Sequence, residues 1–596
     1  MAERKGSIKV STENIFPVIR QWLYTDKDIF LREIVSNAAD AITKLERLRT
    51  MGQWDEEEKP AYRIDVSYDK GQNLITVEDN GLGMTEEELD NYINNIAYSG
   101  AMAFIEKYQD QSDAGSGVIG HFGLGFYSSF MVSSKVRIDT LSWQEGAKAC
   151  FWESDTGTDY TMGDGDRDTR GTKISMYLSD EVKDDFDAFK LRQILTKYAQ
   201  FMPYPIYFHD IEEEEKKAKE ALENEASKDE ESKEEAVSTE PKPINNPNPL
   251  WTKSPSEISD EEYIGFYHEL FQDYRDPLFW IHLNMDYPFR LQGILYFPKA
   301  EEHMDTLAGR LKVYYNQVFV ADDVKELIPD YLFLLRGCLD SPDLPLNVSR
   351  SNLQYDSNLE KLSNHIVRKV ADQLKDLAKN EREKYESYWK DLSLFVRYGS
   401  LRDHKFYDRA KEAFLFESED GTYKSFAELK ESGKEKFYYT TDPKAQIAYI
   451  KRLTAKDEWV FLMEHELDLP FMQNLDMHDQ LHFVRVDAEV AGESGNEDRK
   501  EQLERIFRKA TGNDKLEIEV KGLGPDAEAA ILTEDEETRA MRDLYERMGQ
   551  DMGQDLDSLI PPKHTLVLNT DQSLITKLCL LDETSGKEET GLTLAE

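Results

Sequence analysis

Cysteine is scarce, with only Cys150, Cys338 and Cys579 in 596 residues, and all three lie far apart. No C-x-x-C pair occurs, which excludes a zinc ribbon and a thioredoxin-type redox motif. The sparse, odd count suits a reducing cytosol. No apolar run approaches the ~18 residues that a membrane span needs. The chain opens Met-Ala-Glu-Arg-Lys-Gly-Ser and continues polar, without the apolar core of a secretory signal, so a cytoplasmic location is expected. Basic residues are in deficit: 73 Lys and Arg stand against 118 Asp and Glu, a net charge of −45. A phosphate backbone or an anionic membrane would repel such a chain, so neither nucleic acid nor membrane is an expected partner. Asn347-Val348-Ser349 matches a glycosylation sequon, which carries no meaning in a cytosolic protein. Repeats with a period of 20–50 residues are absent, which excludes a solenoid.

What is present divides the chain. Roughly 150 residues per domain suggests about three to five domains. The clearest boundary is Ile211–Glu240, whose 30 residues hold 13 Asp and Glu, 5 Lys and almost no large apolar side chain. Such a segment cannot bury enough surface to form core and reads as a linker, partly helical because Glu, Lys and Ala favour helix. Residues 1–210 alternate helix and strand patterns, with strands expected at Tyr62–Tyr68, Leu74–Glu78, Ser134–Leu141 and Thr172–Leu178. That pattern predicts an α/β sandwich. Beyond the linker, Phe289–Phe297 and Leu311–Val320 read as strands, followed by helices from Asp330 and Leu359. A second α/β unit begins near Lys436, and a Gly-Glu-Ser-Gly connector after Ala491 opens a C-terminal domain. The expected organisation is an N-terminal domain 1–210, a linker 211–243, a middle domain 244–490 with two α/β subdomains, and a C-terminal domain 491–596 of mixed class.

Three constellations carry chemistry. On a helix expected from Asp26 to about Arg49, with capping-box spacing at Thr25-x-x-Asp28, one face is apolar (Leu31, Ile34, Val35, Ala38, Ile42, Leu45). Glu33, Asn37, Asp40 and Lys44 form a stripe opposite. Such a stripe is most often a solvated face; a ligand-facing stripe would supply a carboxylate for water and an amide oxygen for a metal. Next, Asp79-Asn80-Gly81-Leu82-Gly83-Met84 follows a strand. It reads equally as a hairpin turn or as an acceptor for an exocyclic amine, with glycines permitting close approach to a planar ring. Last, Gly117-Val-Ile-Gly-His-Phe-Gly-Leu-Gly-Phe-Tyr-Ser128 is a glycine-rich loop expected to run into a helix, where free N–H groups suit phosphate. It is neither a Walker loop nor a dinucleotide fingerprint. His121 reads as a structural loop residue.

In this order, an E-x-x-x-N helix, a D-x-G-x-G turn and a G-x-x-G-x-G loop resemble the nucleotide fold of the gyrase, chaperone, histidine-kinase and mismatch-repair (GHKL) superfamily, with Tyr98–Val118 as the ATP lid. Residues 26–45 and 75–85, Ile119-Gly-His-Phe-Gly-Leu-Gly-Phe-Tyr-Ser128, Pro249-Leu-Trp-Thr-Lys253, Ile328-Pro-Asp-Tyr-Leu332 and Asp343-Leu-Pro-Leu-Asn-Val-Ser-Arg350 resemble the heat-shock protein 90 chaperone family in its bacterial form. The likeness covers nearly the whole chain. It implies an ATPase and ATP-dependent chaperone acting on client proteins, with Mg2+ as cofactor, possible co-chaperones and a homodimer. By the same resemblance Glu33 orients or deprotonates the attacking water and Asn37 ligates magnesium. Asp79 anchors adenine beside Gly83, Met84 and Thr172. Asp40, Gly120, Gly123, Gly125 and Phe126 complete the nucleotide site, the glycines cradling phosphate. Arg350 reaches the γ-phosphate, with Asn347 and Gln354 beside it.

Two departures from the family pattern stand out. Tyr98 occupies a position where the family often has lysine. The family also usually continues past the equivalent of Glu596 with a dimerising helical hairpin, so a weakened dimer is expected of this chain. Glu536–Met552, with Met541, Leu544, Met548 and Met552, reads as plain helix core or as an adaptable client surface. The competing functions are another enzyme on the same nucleotide fold, disfavoured by the charge, and a passive client binder, disfavoured by intact Glu33, Asn37, Asp79 and Arg350.

Overall fold

The computed structural model describes residues 26–54, 61–96, 98–107, 117–120, 123–155, 157, 159–226, 242–287, 289–300, 311–322, 324, 327–347, 357–488, 493–525, 527–535, 538, 542, 560–583, 592, 593 and 595. They fall into two compact units, residues 1–367 and 368–596.

The first unit is built on helix α1, Ile29–Thr50. It begins three residues later than the sequence pattern suggests. The Asp28 carboxylate does not cap it but meets Lys190 Nζ at 2.7 Å, a charged partner winning over a backbone one. Thr25, the expected capping partner, lies outside the described residues. The apolar face is buried as expected: Leu31, Ile34, Val35, Ile42 and Leu45 are fully enclosed. It packs against a seven-stranded sheet rather than the four strands read from sequence. The strands are β1 (Ile64–Asp69), β2 (Leu74–Asp79), β3 (Ser133–Leu141), β4 (Cys150–Ser154), β5 (Thr161–Asp164), β6 (Gly171–Leu178) and β7 (Ile206–Asp210), in the order β5-β4-β3-β6-β2-β1-β7. Ile64, Val66, Ile75, Val77, Val136 and Ile138 alternate inward and join the α1 face in one core, as a two-residue period requires. Helices α2 (Glu86–Ile93), α3 (Gly100–Lys107) and α4 (Ala188–Ala199) complete this layer.

Strand β7 runs without a break into helix α5, Ile211–Ala226, the first half of the acidic segment. Glu212, Glu213 and Glu214 favour its positive N-terminal end, and Lys217 pairs with Glu213 at 2.6 Å. After the segment the chain returns to where it left. The Ile244 N–H donates to the Ile206 carbonyl at 2.8 Å. The Asn245 amide donates to Met202 and Tyr204 carbonyls and accepts the Ile206 N–H at 2.8 Å.

Next comes a five-stranded sheet of β8 (Phe279–Met285), β9 (Leu291–Phe297), β10 (Leu311–Tyr315), β11 (Val318–Asp322) and β12 (Arg336–Asp340), ordered β11-β10-β12-β9-β8. The single strand expected over Leu311–Val320 is a hairpin, because Asn316 and Gln317 both turn left-handed, at φ +48° and +65°. The strand expected from Phe289 starts at Leu291. The helix expected from Asp330 is one 3-10 turn, Asp330–Leu332, and the one from Leu359 is Ser357–Asn380. Trp251 joins this sheet to the segment between α4 and β7. Its ring lies 4.8 Å from Phe201 and 5.0 Å from Tyr314, and its indole N–H donates to Asp340 Oδ2 at 3.2 Å.

In the second unit, a long helix Arg382–Arg402 precedes a parallel three-stranded sheet of Lys436–Thr440, Val460–Leu462 and His482–Arg485. Helices Ile447–Thr454 and Asp468–Asp479 follow its first and second strands. A four-stranded sheet with helices Lys500–Thr511 and Ser573–Glu583 follows. Glu536–Met552, apart from Thr538 and Arg542, lies outside the described residues. All three cysteines are free and buried. None of the described helices is long and apolar enough to cross a membrane.

Candidate functional site

The stripe on α1 does not face solvent. Glu33 and Asp40 are 2% and 3% exposed, and Asn37, Asp40 and Lys44 line a cavity of about 260 Å³ between α1, the sheet and the loop around Gly120–Phe126. The same cavity is lined by Asp79, Gly83, Met84, Gly120, Gly123, Gly125, Phe126 and Thr172. The three constellations, far apart in sequence, thus share one site.

Glu33 is set by a neighbour that the sequence pattern did not single out. Arg32, itself 2% exposed, donates to Glu33 Oε1 from Nη2 at 2.8 Å and from Nε at 3.1 Å. On a helical wheel Arg32 falls off the stripe and reads as solvated; nothing in the sequence marks its burial. The other carboxylate oxygen of Glu33 borders Gly125, where an added Cβ would stand 2.6 Å from Glu33 Oε2. An alanine there would have to displace the Glu33 carboxylate, so glycine lets the loop approach that group without disturbing it.

Asp40 anchors the loop. Its Oδ1 accepts the Ile119 N–H at 2.7 Å and its Oδ2 the Gly120 N–H at 2.6 Å. The Gly120 N–H is thereby turned onto Asp40, leaving Gly123, Gly125 and Phe126 as the loop's further candidates for phosphate. Gly123 has φ +63°, and a Cβ there would lie 2.7 Å from the Tyr98 carbonyl. The loop leads into a 3-10 segment, Gly125–Met131, instead of the expected α-helix. Burial drives the Lys44 ammonium pKa down, while Asp40 and Glu88 oppose that shift.

Asp79 ends β2, 6% exposed, with Oδ1 accepting the Gly81 N–H at 2.8 Å. Burial pushes its carboxyl up to about 7. A buried carboxylate held at one oxygen retains acceptor capacity for an amine donor. Thr172 pairs with Asp79 across β2 and β6, and its hydroxyl lies 3.0 Å from that of Thr140. The Met84 N–H donates to the same Thr140 hydroxyl at 2.9 Å. Gly83 adopts φ +63°, and an added Cβ would fall 1.9 Å from the Leu141 carbonyl oxygen. Gly83→Ala should therefore cost about 1–3 kcal/mol of stability or more, the range for forced left-handed backbone. A calorimetric melt that matches wild type would show that the turn relaxes freely.

Tyr98 and Tyr92 also line the cavity, their rings stacked at 5.9 Å and 16°. Asn347 is half-buried at the end of the segment that follows β12. Arg350 and Gln354, with His121, Phe122 and residues 108–116 of the expected lid, lie outside the described residues. Among the described residues no group of three or more His, Cys, Asp and Glu could hold a metal. Among the groups that line the cavity, Asn37 offers an amide oxygen, which suits a hard cation that shares its shell with phosphate and water.

Comparison with known proteins bears on this geometry. A family model described as Hsp90 protein matches residues 185–523, and one described as histidine kinase-, DNA gyrase B- and HSP90-like ATPase matches residues 27–159. The Chaperone protein HtpG of Porphyromonas gingivalis is 40% identical over 612 residues, spanning 98% of this chain and 85% of that protein. That of Bacteroides fragilis is 40% identical over 603 residues, spanning 97% and 85%. That of Shewanella pealeana is 33% identical over 588 residues, spanning 93% and 89%.

Proposed function

Because the chain belongs to the Hsp90 family and is an ATP-dependent molecular chaperone with a nucleotide-binding ATPase domain, we propose that it hydrolyses ATP in the α1 cavity to drive its work on client proteins. The observation that carries the reading is the convergence of Asn37, Asp79, Gly83, Thr172 and the glycine loop on that cavity, with the Glu33 carboxylate against Gly125 of that loop. Glu33, oriented by Arg32, takes the attacking water's proton or aligns its lone pair. Asp79 accepts the exocyclic amine of adenine, with Gly83, Met84 and Thr172 around the ring. Gly123, Gly125 and Phe126 turn backbone N–H groups to the phosphates, and Asp40 holds the loop that presents them. Phosphoryl transfer depends on positioning and charge compensation more than on covalent help. Asn37 would hold Mg2+, which supplies that compensation when bound. Arg350 would bring positive charge to the γ-phosphate, with Asn347 and Gln354 as neutral hydrogen-bonding partners. A cytoplasmic location, with client proteins and co-chaperones as partners, completes the proposal.

The test is turnover by the full chain in a coupled-enzyme assay, alongside suppression of aggregation of a heat-denatured client. Expected are turnover with Mg2+, none in EDTA, and client protection that changes with ATP. Binding of ADP without any turnover of ATP would reduce the protein to a passive client binder.

A further inference from the structure

The hairpin tip between β10 and β11 is the one place among the described residues where two successive non-glycine residues are both left-handed, Asn316 at φ +48° and Gln317 at +65°. Such a two-residue turn matches the twist of a hairpin, yet it normally recruits Asn-Gly or Asp-Gly. Left-handed backbone is unfavourable for a glutamine and persists only where the surroundings fix it. Here they do. The Gln317 N–H donates to Asp340 Oδ2 at 3.0 Å, the oxygen that also receives the Trp251 indole. Asp340 is 7% exposed and ends β12, where the segment leading to Asn347 begins.

The other end of the turn reaches the nucleotide domain. Asn316 Nδ2 donates to the Val118 carbonyl at 3.2 Å. Val118 is 1% exposed and directly precedes Ile119 and Gly120, whose N–H groups are held by Asp40. One short relay therefore joins the start of the Asp340–Asn347 segment to the start of the glycine loop. Asn316 and Gln317 border a separate polar cavity of about 530 Å³, so trimming the Asn316 amide opens space and forces no clash.

We propose that Asn316 is a positioning residue for ATP hydrolysis, holding the Val118 carbonyl so that the glycine loop and the Asp340–Asn347 segment keep one spacing. This rests on the reading of the α1 cavity as an ATP-hydrolysing site. Asn316 touches neither substrate nor reacting atoms; it acts through Val118 and, by way of the turn, through Asp340. Its loss should therefore lower kcat and leave ground-state nucleotide affinity alone, since adenine recognition at Asp79 is untouched.

The experiment uses the full chain with Asn316→Gly, which tolerates the left-handed turn but lacks the donor, and Asn316→Asp, which keeps the shape but sets a carboxylate against the Val118 carbonyl. For the glycine variant kcat should fall about 2- to 12-fold, the range for one neutral hydrogen bond. The aspartate variant should fall further. In both, KM, ADP affinity by calorimetry and melting temperature should match wild type. A wild-type kcat in Asn316→Gly would mean that only the turn's shape matters, and a raised kcat would make the contact a restraint; either overturns the proposal. So would a higher KM at constant kcat, or lower melting temperatures in both variants. Glu33→Gln, run beside them, separates the failures. If it is inactive while Asn316→Gly is unchanged, this inference alone falls. If the wild-type chain turns over no ATP, the functional reading falls with it.

Discussion

Replacing Glu33 with alanine is expected to cut ATP turnover by at least about 100-fold, the lower bound for losing a positioned general base. Nucleotide affinity should stay close to wild type, because the proposed site has other residues hold adenine and phosphates and has the carboxylate act on water only as the transition state forms. The alanine variant also removes one partner of the buried Arg32 guanidinium, and breaking a buried ion pair can itself cost about 3–5 kcal/mol. Glu33→Gln lessens that concern: it keeps the shape and a hydrogen-bonding oxygen for Arg32, though not the charge, so its thermal melt is read beside its turnover. Steady-state turnover, ADP calorimetry and a thermal melt on both variants decide the matter. If Glu33→Gln melts like wild type, binds ADP and still hydrolyses ATP at the wild-type rate, Glu33 has no role in the chemistry.

Asp79→Asn is expected to act on binding. A hydrogen bond to a charged group contributes about 1.5–3 kcal/mol, so ATP and ADP affinity should fall about 10- to 150-fold. Residual turnover at saturating ATP should stay near wild type. Unfolding is not the expected cause, and the sign of the pKa shift explains why. Burial raises the Asp79 carboxyl from its ordinary 3.8 to about 7, so the folded state binds this proton more tightly than the unfolded state does. The stability this contributes is complete below the ordinary carboxyl range and is lost as pH rises through about 7. At pH 8 the ionised, buried Asp79 works against folding, and a neutral amide removes that burden. The unliganded variant should then melt at or above the wild-type temperature at pH 8, while calorimetry shows the loss of affinity. Unchanged affinity would take Asp79 out of the adenine site.

The parts of this architecture that sequence revealed are those whose spacing repeats. The α1 face is legible because Leu31, Ile34, Val35, Ala38, Ile42 and Leu45 recur at helical intervals, and β1 and β2 because their apolar residues alternate. Strand β5, Thr161–Asp164, is invisible because it buries no residue fully and reads as a Gly-Asp loop. Strands β10 and β11 merge into one run because their turn, Asn316–Gln317, contains no glycine to punctuate it. The turn is held from outside by Asp340, which no local pattern can report. The same limit applies to the site. Glu33, Asn37 and Asp79 could be singled out by residue type and spacing, whereas the burial of Arg32 and the capture of two loop N–H groups by Asp40 depend on chain segments that meet only after folding.

The return of the chain to β7 changes what the acidic segment can be. Its two ends, at Asp210 and Ile244, are stitched to the same short stretch of backbone through Ile206, Met202 and Tyr204. A segment closed in this way is a side excursion from a continuous body, and its contour length sets no distance between the two sheets. Its cost to the fold is that of closing a loop, which grows by only about 0.6 kcal/mol per doubling of length. Insertions, deletions and shifts in charge between those stitches can therefore accumulate without altering the span from Asp79 to Asp340, so evolution can retune the excursion's solubility and surface charge independently of the α1 cavity.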